Sequence, residues 1–231
     1  MEKKIPIAPS PIKLLGKEPA VHFPRGGFGA VLARAGVGKT SVLVQIAIGN
    51  LMEDQKVLHV SLNEPVRKVC LWYEEVFSNI TARFGLQNPA ETWEAIVPHR
   101  FIMTFAAEQF TVPRLAARLS DLVEQNIFAP EVIVVDGLNF DANVQQILEE
   151  LHAFATEKKL RVWFAVRTHR EGSDPATPLL RPFYQVAGLF DVALFLDSVG
   201  TDLVVRVLQG SKDAPKTPPF ILDSTTLLIK E

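Results

Sequence analysis

The sequence predicts an α/β domain in which helices flank a mainly parallel β-sheet, and three observations lead to that prediction. Short apolar runs rich in valine and isoleucine alternate along the chain with longer segments in which apolar residues recur at helical spacing. This alternation of strand and helix is typical of a parallel sheet. The length of 231 residues, with 48% hydrophobic and 22% charged residues, suits one domain of this class.

The predicted elements follow one another in a regular order after a proline-rich start. Four prolines interrupt residues 1–22, which we expect to form an extended arm, leaving residues 23–231 as a single domain. The predicted parallel strands are Phe28–Leu32, Lys56–Leu62, Arg100–Phe105, Glu131–Asp136 and Arg161–Arg167. The predicted helices between them are Thr40–Asn50, Val66–Phe84, Val112–Gln125 and Ala142–Lys158.

The last quarter of the chain changes character. Three strand-like runs are joined by short segments rich in glycine, aspartate and proline, without a helical segment between them. We expect these runs to join one edge of the sheet as antiparallel strands. They are Asp191–Asp197, Leu203–Leu208 and Phe220–Ile229.

The charge and the cysteine content of the chain limit which kinds of binding partner and which cellular compartment we expect. The net charge of −2 gives no sequence-wide argument for nucleic acid or an acidic membrane, although a local basic patch remains open. Cys70 is the single cysteine, so the chain cannot form an internal disulfide, which is consistent with a reducing cytoplasm. We expect its side chain to pack in the core. The start of the chain lacks the continuous apolar run of a signal peptide or membrane span. We therefore expect a cytoplasmic protein with no membrane partner.

Residues 33–41, Ala-Arg-Ala-Gly-Val-Gly-Lys-Thr-Ser, are the most informative stretch, because they lie between a predicted strand and a predicted helix. Glycines at this turn let consecutive backbone N–H groups approach phosphate oxygens near a helix N-terminus. Lys39 would reach the β- and γ-phosphates, and the Thr40 hydroxyl would ligate a bridging Mg²⁺. The predicted nucleotide-binding residues of this P-loop are Arg34, Ala35, Gly36, Val37, Gly38, Lys39, Thr40 and Ser41.

One residue departs from the full P-loop pattern. Ala33 stands where the pattern has its first glycine, and alanine is acceptable there if the backbone keeps a negative φ. The alternative interpretation of the stretch is a glycine-rich turn ahead of an ordinary helix.

Polar residues that end apolar runs are further candidates, because ligands bind at the carboxyl ends of parallel strands. Asp136 ends a four-residue apolar run and would hold Mg²⁺ near Thr40, or else would cap the next turn. Glu64 would activate a water for attack on the γ-phosphate, or else would cap the following helix. Thr168 or His169 would contact the γ-phosphate, with a surface-loop cluster as the alternative.

From about Phe23 onward the chain resembles RecA-like P-loop ATPases, nearest to KaiC-like proteins and the ATPase domain of replicative hexameric helicases. The resemblance is carried by residues 33–40, by Ser-Leu-Asn-Glu-Pro at 61–65 and by Val-Val-Asp at 134–136. It implies a three-layer fold, ATP and Mg²⁺ as cofactors, and hydrolysis with Lys39 and Glu64 as catalytic residues. KaiC-like members often carry two adjacent acids where this chain has Asn63 and Glu64. If the essential base falls on Asn63, the protein would bind ATP and hydrolyse it poorly.

The resemblance also implies a homo-oligomer, a ring or a filament. Family rings place a basic residue of one subunit at the neighbour's γ-phosphate, and Lys212 or Lys216 lies in the corresponding segment. Solvated lysines in a turn are the alternative. Nucleic acid is not predicted as a partner, because no basic DNA-binding loop is evident.

Two functional hypotheses follow. The first is a Mg²⁺-dependent ATPase of the RecA-like class. The second is a nucleotide-responsive regulatory or assembly module that does not hydrolyse its ligand, motivated by the lone acid at residues 63–64. A small-molecule kinase is less favoured, because no arginine-rich lid segment follows the P-loop.

Overall fold

An eight-stranded sheet runs through the centre of the molecule. The computed structural model describes residues 24–141, 144–168, 182–200, 202–210, 219–228 and 230. The strands are β1 (Phe28–Ala33), β2 (Val57–Ser61), β3 (Arg100–Thr104), β4 (Val132–Asp136), β5 (Arg161–Arg167), β6 (Val192–Val199), β7 (Asp202–Gln209) and β8 (Phe220–Leu222). They lie in the order β3-β2-β4-β5-β1-β6-β7-β8. Strands β1 to β6 are parallel, and β7 and β8 follow in antiparallel pairings.

Helices cover both faces of this sheet. They are α1 (Lys39–Met52), α2 (Val66–Phe84), α3 (Pro89–Ile96), α4 (Val112–Glu124) and α5 (Gln145–Lys158). One buried cluster joins α1, α2 and α3 to the sheet through residues such as Leu43 and Tyr73. A second cluster joins α4 and α5 to the opposite face through residues such as Leu115 and Leu148. The two clusters make a three-layer α/β arrangement.

The predicted α/β class and mainly parallel sheet are confirmed, and two details of the last quarter are wrong. The run predicted as antiparallel at 191–197 forms β6, which pairs parallel with β1. The strand predicted at 220–229 ends at Leu222, because the Asp223 carboxylate accepts backbone hydrogen bonds from Thr225 and Thr226 and so closes a turn. In the described chain the antiparallel pairs are therefore β6 with β7 and β7 with β8.

For other predictions the structure differs in smaller details, and some predicted residues lie outside the described part of the chain. Helix α3 was not predicted, because only Thr92 and Ile96 of its eight residues are buried and its apolar pattern is short. Cys70 is half-buried instead of filling the core. The predicted arm, the residues 142–143 at the start of a predicted helix, His169, Lys212 and Lys216 lie outside the described residues. No described helix has the length and apolar character needed to cross a bilayer.

A buried histidine in the sheet gives the fold a pH-dependent component. His59 lies on β2 with no exposed surface, and its Nδ1 is 3.2 Å from the Tyr73 hydroxyl of α2. Burial, assisted by the positive charge of Arg100, lowers the pKa of His59 from 6.5 to about 3. The folded protein therefore keeps this imidazole neutral at pH values where the unfolded chain protonates it.

We predict that His59 makes the free energy of unfolding fall as the pH drops below 6.5. The unfolded state then binds a proton that the folded state does not bind until about pH 3, which costs at most about 1.4 kcal/mol per pH unit for one group. Replacing His59 by asparagine removes this component whatever its effect on stability at pH 7.5. Urea unfolding of both proteins between pH 7.5 and pH 5 measures the two slopes. Equal slopes would contradict the prediction.

Candidate functional site

The loop between β1 and α1 has the backbone shape that its two glycines predict. All six residues of β1 are buried, so the strand fixes where the loop begins. Gly36 has a φ of 77° and Gly38 a φ of 103°, a region that side-chain-bearing residues rarely adopt. Helix α1 begins directly after Gly38, and its first N–H groups have no partners within the helix. The loop therefore presents a helix N-terminus, which favours an anion.

A short hydrogen bond connects this helix to the carboxyl end of another strand. The Thr40 hydroxyl donates to Asp136 Oδ2 at 2.6 Å. Asp136 ends β4, and β5 separates β4 from β1, so the strand ends that flank β5 are roughly 10 Å apart. Helix α1 packs across β1, β5 and β4 and spans this distance. The structure thus brings together the two residues that the sequence predicts as Mg²⁺ ligands.

Lys39 is folded back over its own loop. Its Nζ donates a hydrogen bond to the Arg34 carbonyl oxygen at 2.8 Å. Burial lowers the pKa of Lys39, the charge of Asp136 raises it, and the charge of Arg167 lowers it further. An anion beside this ammonium would stabilise its charged form.

Asp136 is a buried carboxyl whose charge is only partly compensated. Burial raises its pKa, while the Thr40 hydrogen bond, the Lys39 charge and the backbone N–H of Gly137 oppose that rise. The negative charge of Glu64 adds to the increase. The ionised form is therefore costly in the protein alone, and a cation at Asp136 would stabilise it.

Two cavities flank the loop. The larger, of about 460 Å³, includes Lys39, Asp136, Asn63 and Arg167 in its wall. The smaller, of about 210 Å³, lies against Gly36 and Val37 on one side and against β6, β7 and the C-terminal turn on the other. The loop therefore lies between a charged cavity and a second cavity lined by serines, leucines and Asp202.

The two residues after β2 have different positions. Asn63 lines the larger cavity, and its side-chain amide lies 3.5 Å from the Gly137 carbonyl oxygen. Glu64 is not among the residues that line this cavity; its carboxylate accepts a hydrogen bond from Lys68 Nζ at 2.7 Å. Its backbone N–H is 3.2 Å from the Ser61 hydroxyl. An amide thus takes the place in the cavity wall where a carboxylate base would be expected.

The end of β5 also differs from the expectation in detail. Thr168 is 4% exposed, and its backbone N–H donates a hydrogen bond to the carbonyl oxygen of Ala33 at the end of β1, at 3.0 Å. Arg167, the residue before it, is exposed and lines the larger cavity. The contact predicted between Thr168 and a γ-phosphate stays a prediction. Sequence reasoning did not single out Arg167, and it named Asn63 only as an alternative position for the base of the family that the chain resembles, although both residues end or follow apolar strands.

A turn near the C-terminus supports the loop from outside. Leu227 has a φ of 58° and its side chain packs so closely on Gly38 that a Cβ there would lie 2.5 Å from Leu227 Cδ1. The Leu227 carbonyl accepts a hydrogen bond from Gln45 of α1 at 2.8 Å. The absence of a side chain at Gly38 therefore serves two purposes: it permits the left-handed backbone, and it leaves room for Leu227.

The donor set at Thr40 and Asp136 fits Mg²⁺. This ion binds proteins through one or two oxygen ligands and completes its shell with water and phosphate oxygens. A hydroxyl and a carboxylate oxygen 2.6 Å apart provide two such ligands, and Asp136 lines the larger cavity. Among the described residues no three histidine, cysteine, aspartate or glutamate side chains form a metal cluster, and a Mg²⁺ that is bound with nucleotide does not need one.

Comparison with known proteins does not assign the chain to a family. No protein-family model matches the chain, and no curated protein matches it either. The inference about function therefore depends on the glycine loop, the hydroxyl and carboxylate pair, and the two cavities.

We predict that Asp136→Asn stabilises the protein in the absence of nucleotide and metal. Asparagine keeps an acceptor for Thr40 but removes a carboxyl whose pKa burial raises. Because the folded-state pKa of Asp136 is raised above the ordinary value of 3.8, the wild type loses stability as the pH rises from 3.8 to that raised pKa, and the advantage of the variant grows over the same interval. Urea unfolding in EDTA measures it. A variant less stable than the wild type at pH 7 would contradict the prediction.

Proposed function

We propose that the protein binds a nucleoside triphosphate together with Mg²⁺ on the loop 34–41. The observation that carries the proposal is the 2.6 Å contact between Thr40 and Asp136, next to a loop with two left-handed glycines at a helix N-terminus. Backbone N–H groups and Lys39 would hold the β- and γ-phosphates. The Thr40 and Asp136 oxygens would hold the metal, which neutralises the phosphate charge. The smaller cavity on the other side of the loop would receive the nucleoside.

We further propose that the fold belongs to the RecA-like P-loop class. The central position of β1, the separation of β1 from β4 by one strand and the helices on both faces support this assignment. The class makes ATP the expected nucleotide and a ring or filament of identical chains the expected assembly.

The residue types in the cavity wall favour a protein that keeps its nucleotide bound over one that hydrolyses it rapidly. A general base must lie within hydrogen-bond reach of the water that it activates. Asn63 occupies the cavity wall beside Asp136, and a neutral amide does not remove a proton from water. Glu64 is paired with Lys68. A regulatory or assembly module that changes state with bound nucleotide is therefore the function that the site supports best.

A slow ATPase is the second candidate, and one observation favours it. The charge of Glu64 contributes to the raised pKa of Asp136, so this carboxylate lies within electrostatic range of the proposed metal site. Its side chain is 31% exposed and its partner Lys68 is 50% exposed, so solvent weakens this ion pair. Release from Lys68 would free Glu64 to act as a base.

We predict that Lys39→Ala weakens binding of Mg²⁺-ATP roughly 10- to 100-fold, the equivalent of one charge-assisted hydrogen bond. The fold should remain intact, because the ammonium is costly to bury and its only described hydrogen bond is to its own loop. Titration calorimetry measures the affinity. Lys56→Ala, an exposed lysine at the opposite end of the sheet, is the control and should leave the affinity unchanged. Unchanged affinity in Lys39→Ala would contradict the proposal.

We predict that the wild type releases phosphate slowly from Mg²⁺-ATP, and that Glu64→Gln does not slow it further. Asn63→Glu should raise the rate at least about tenfold, because a positioned base contributes about 10²- to 10⁴-fold when its geometry is right. A phosphate-release assay with Lys39→Ala as blank compares the three proteins. Rapid release by the wild type that is lost in Glu64→Gln would establish the ATPase instead.

A further inference from the structure

An arginine in the wall of the larger cavity is not one of the proposed phosphate or metal ligands. Arg167 is the last residue of β5 and stands opposite Ala33 of β1 in the sheet register. Strand β5 lies between β1, which leads into the P-loop, and β4, which ends in Asp136. The strand order therefore places this side chain between the phosphate loop and the proposed metal ligand.

The guanidinium of Arg167 is available for a ligand. It is exposed to the cavity and makes no hydrogen bond or ion pair with another described residue. Several other described arginines are engaged, since Arg114 and Arg118 donate to backbone carbonyls and Arg206 pairs with Asp197. An arginine at a strand end that is left free inside a cavity is well placed to bind an anion.

A second cation shares this cavity. Lys39 lies in the same wall, and the positive charge of Arg167 is one of the causes that lower the pKa of Lys39. Two like charges near each other are unfavourable, and the Asp136 carboxylate in the same wall offsets only part of this cost. A group with more than one negative charge would therefore be favoured between Lys39 and Arg167, where it could contact both side chains.

The direction in which the cavity extends from the loop indicates which phosphate of a nucleotide would lie beside Lys39 and Arg167. The loop N–H groups lie at the start of α1, whereas the cavity continues past Lys39 toward Asn63 and Gly137. A nucleotide held by the loop would extend its terminal phosphate into this space. The planar guanidinium can donate two parallel hydrogen bonds to such a phosphate, which an ammonium cannot do.

We propose that Arg167 determines the preference of the site for a triphosphate over a diphosphate by binding the γ-phosphate from the β5 side. This inference rests on the proposed nucleotide site. Its structural consequence is direct, because the next residue, Thr168, bonds Ala33 of the P-loop strand through its backbone. The residue that contacts the terminal phosphate is thus joined to the start of the loop that holds the other phosphates.

The test compares affinities for Mg²⁺-ATP and Mg²⁺-ADP by titration calorimetry in the wild type, Arg167→Ala and Arg167→Lys. Arg167→Ala should lose at least about tenfold in affinity for ATP and less than about twofold for ADP, and lysine should restore part of the loss. Arg83→Ala, an exposed arginine on the last turn of α2, makes the same change of charge away from the site and should leave the ATP to ADP ratio unaltered.

The outcomes separate this inference from the function on which it rests. Equal losses for ATP and ADP in Arg167→Ala, or no loss for either, overturn the role of Arg167 while nucleotide binding stands. A wild-type protein that binds neither nucleotide overturns both proposals. Thermal unfolding without nucleotide verifies that each variant is folded, as expected for an exposed side chain.

Discussion

The hydrogen bond between Thr40 and Asp136 is the contact on which the rest of the site depends. It joins the first turn of α1 to the end of β4 across an intervening strand, at a donor to acceptor distance of 2.6 Å. This geometry requires the chain to leave β1, turn through Gly36 and Gly38 in the left-handed region and start a helix at once. Because β5 lies between the two strands, its terminal residue, Arg167, faces the same cavity. The contact thus joins the loop to the carboxylate, and the strand order places the arginine beside them.

The charges around this contact are arranged for a ligand more than for stability. Burial disfavours the charged forms of both Lys39 and Asp136, and each compensates only part of the other's cost. A triphosphate with its metal would supply the missing charges on both sides, the phosphates beside Lys39 and Arg167 and the cation beside Asp136. Binding of such a ligand to the folded state alone would stabilise the protein by mass action. Destabilised charges that converge on one cavity are a common property of functional sites.

Much of the fold and part of the site could be predicted from the sequence. Periodicity located the parallel strands and four helices, and the loop at 33–41 with Asp136 gave the central pair of residues, because local patterns encode both. The parallel pairing of β6 was missed, since strand direction depends on the partner that a run finds and not on the run itself. The choice between neighbouring positions also differs from the structure: the sequence favoured Glu64 over Asn63 and Thr168 over Arg167, whereas Asn63 and Arg167 line the larger cavity. Only three-dimensional packing decides which of each pair enters the cavity.

The proposed binding of a nucleotide and its metal by the loop after β1 can be observed directly. The most direct measurement is an NMR titration of isotopically labelled protein with Mg²⁺-ATP, followed through the backbone amide signals. We expect the largest shifts at residues 35–40, all saturating at the same nucleotide concentration, with smaller changes at Asp136 and Arg167. Unchanged signals at residues 35–40 in the presence of excess nucleotide, or shifts confined to a distant surface, would contradict it.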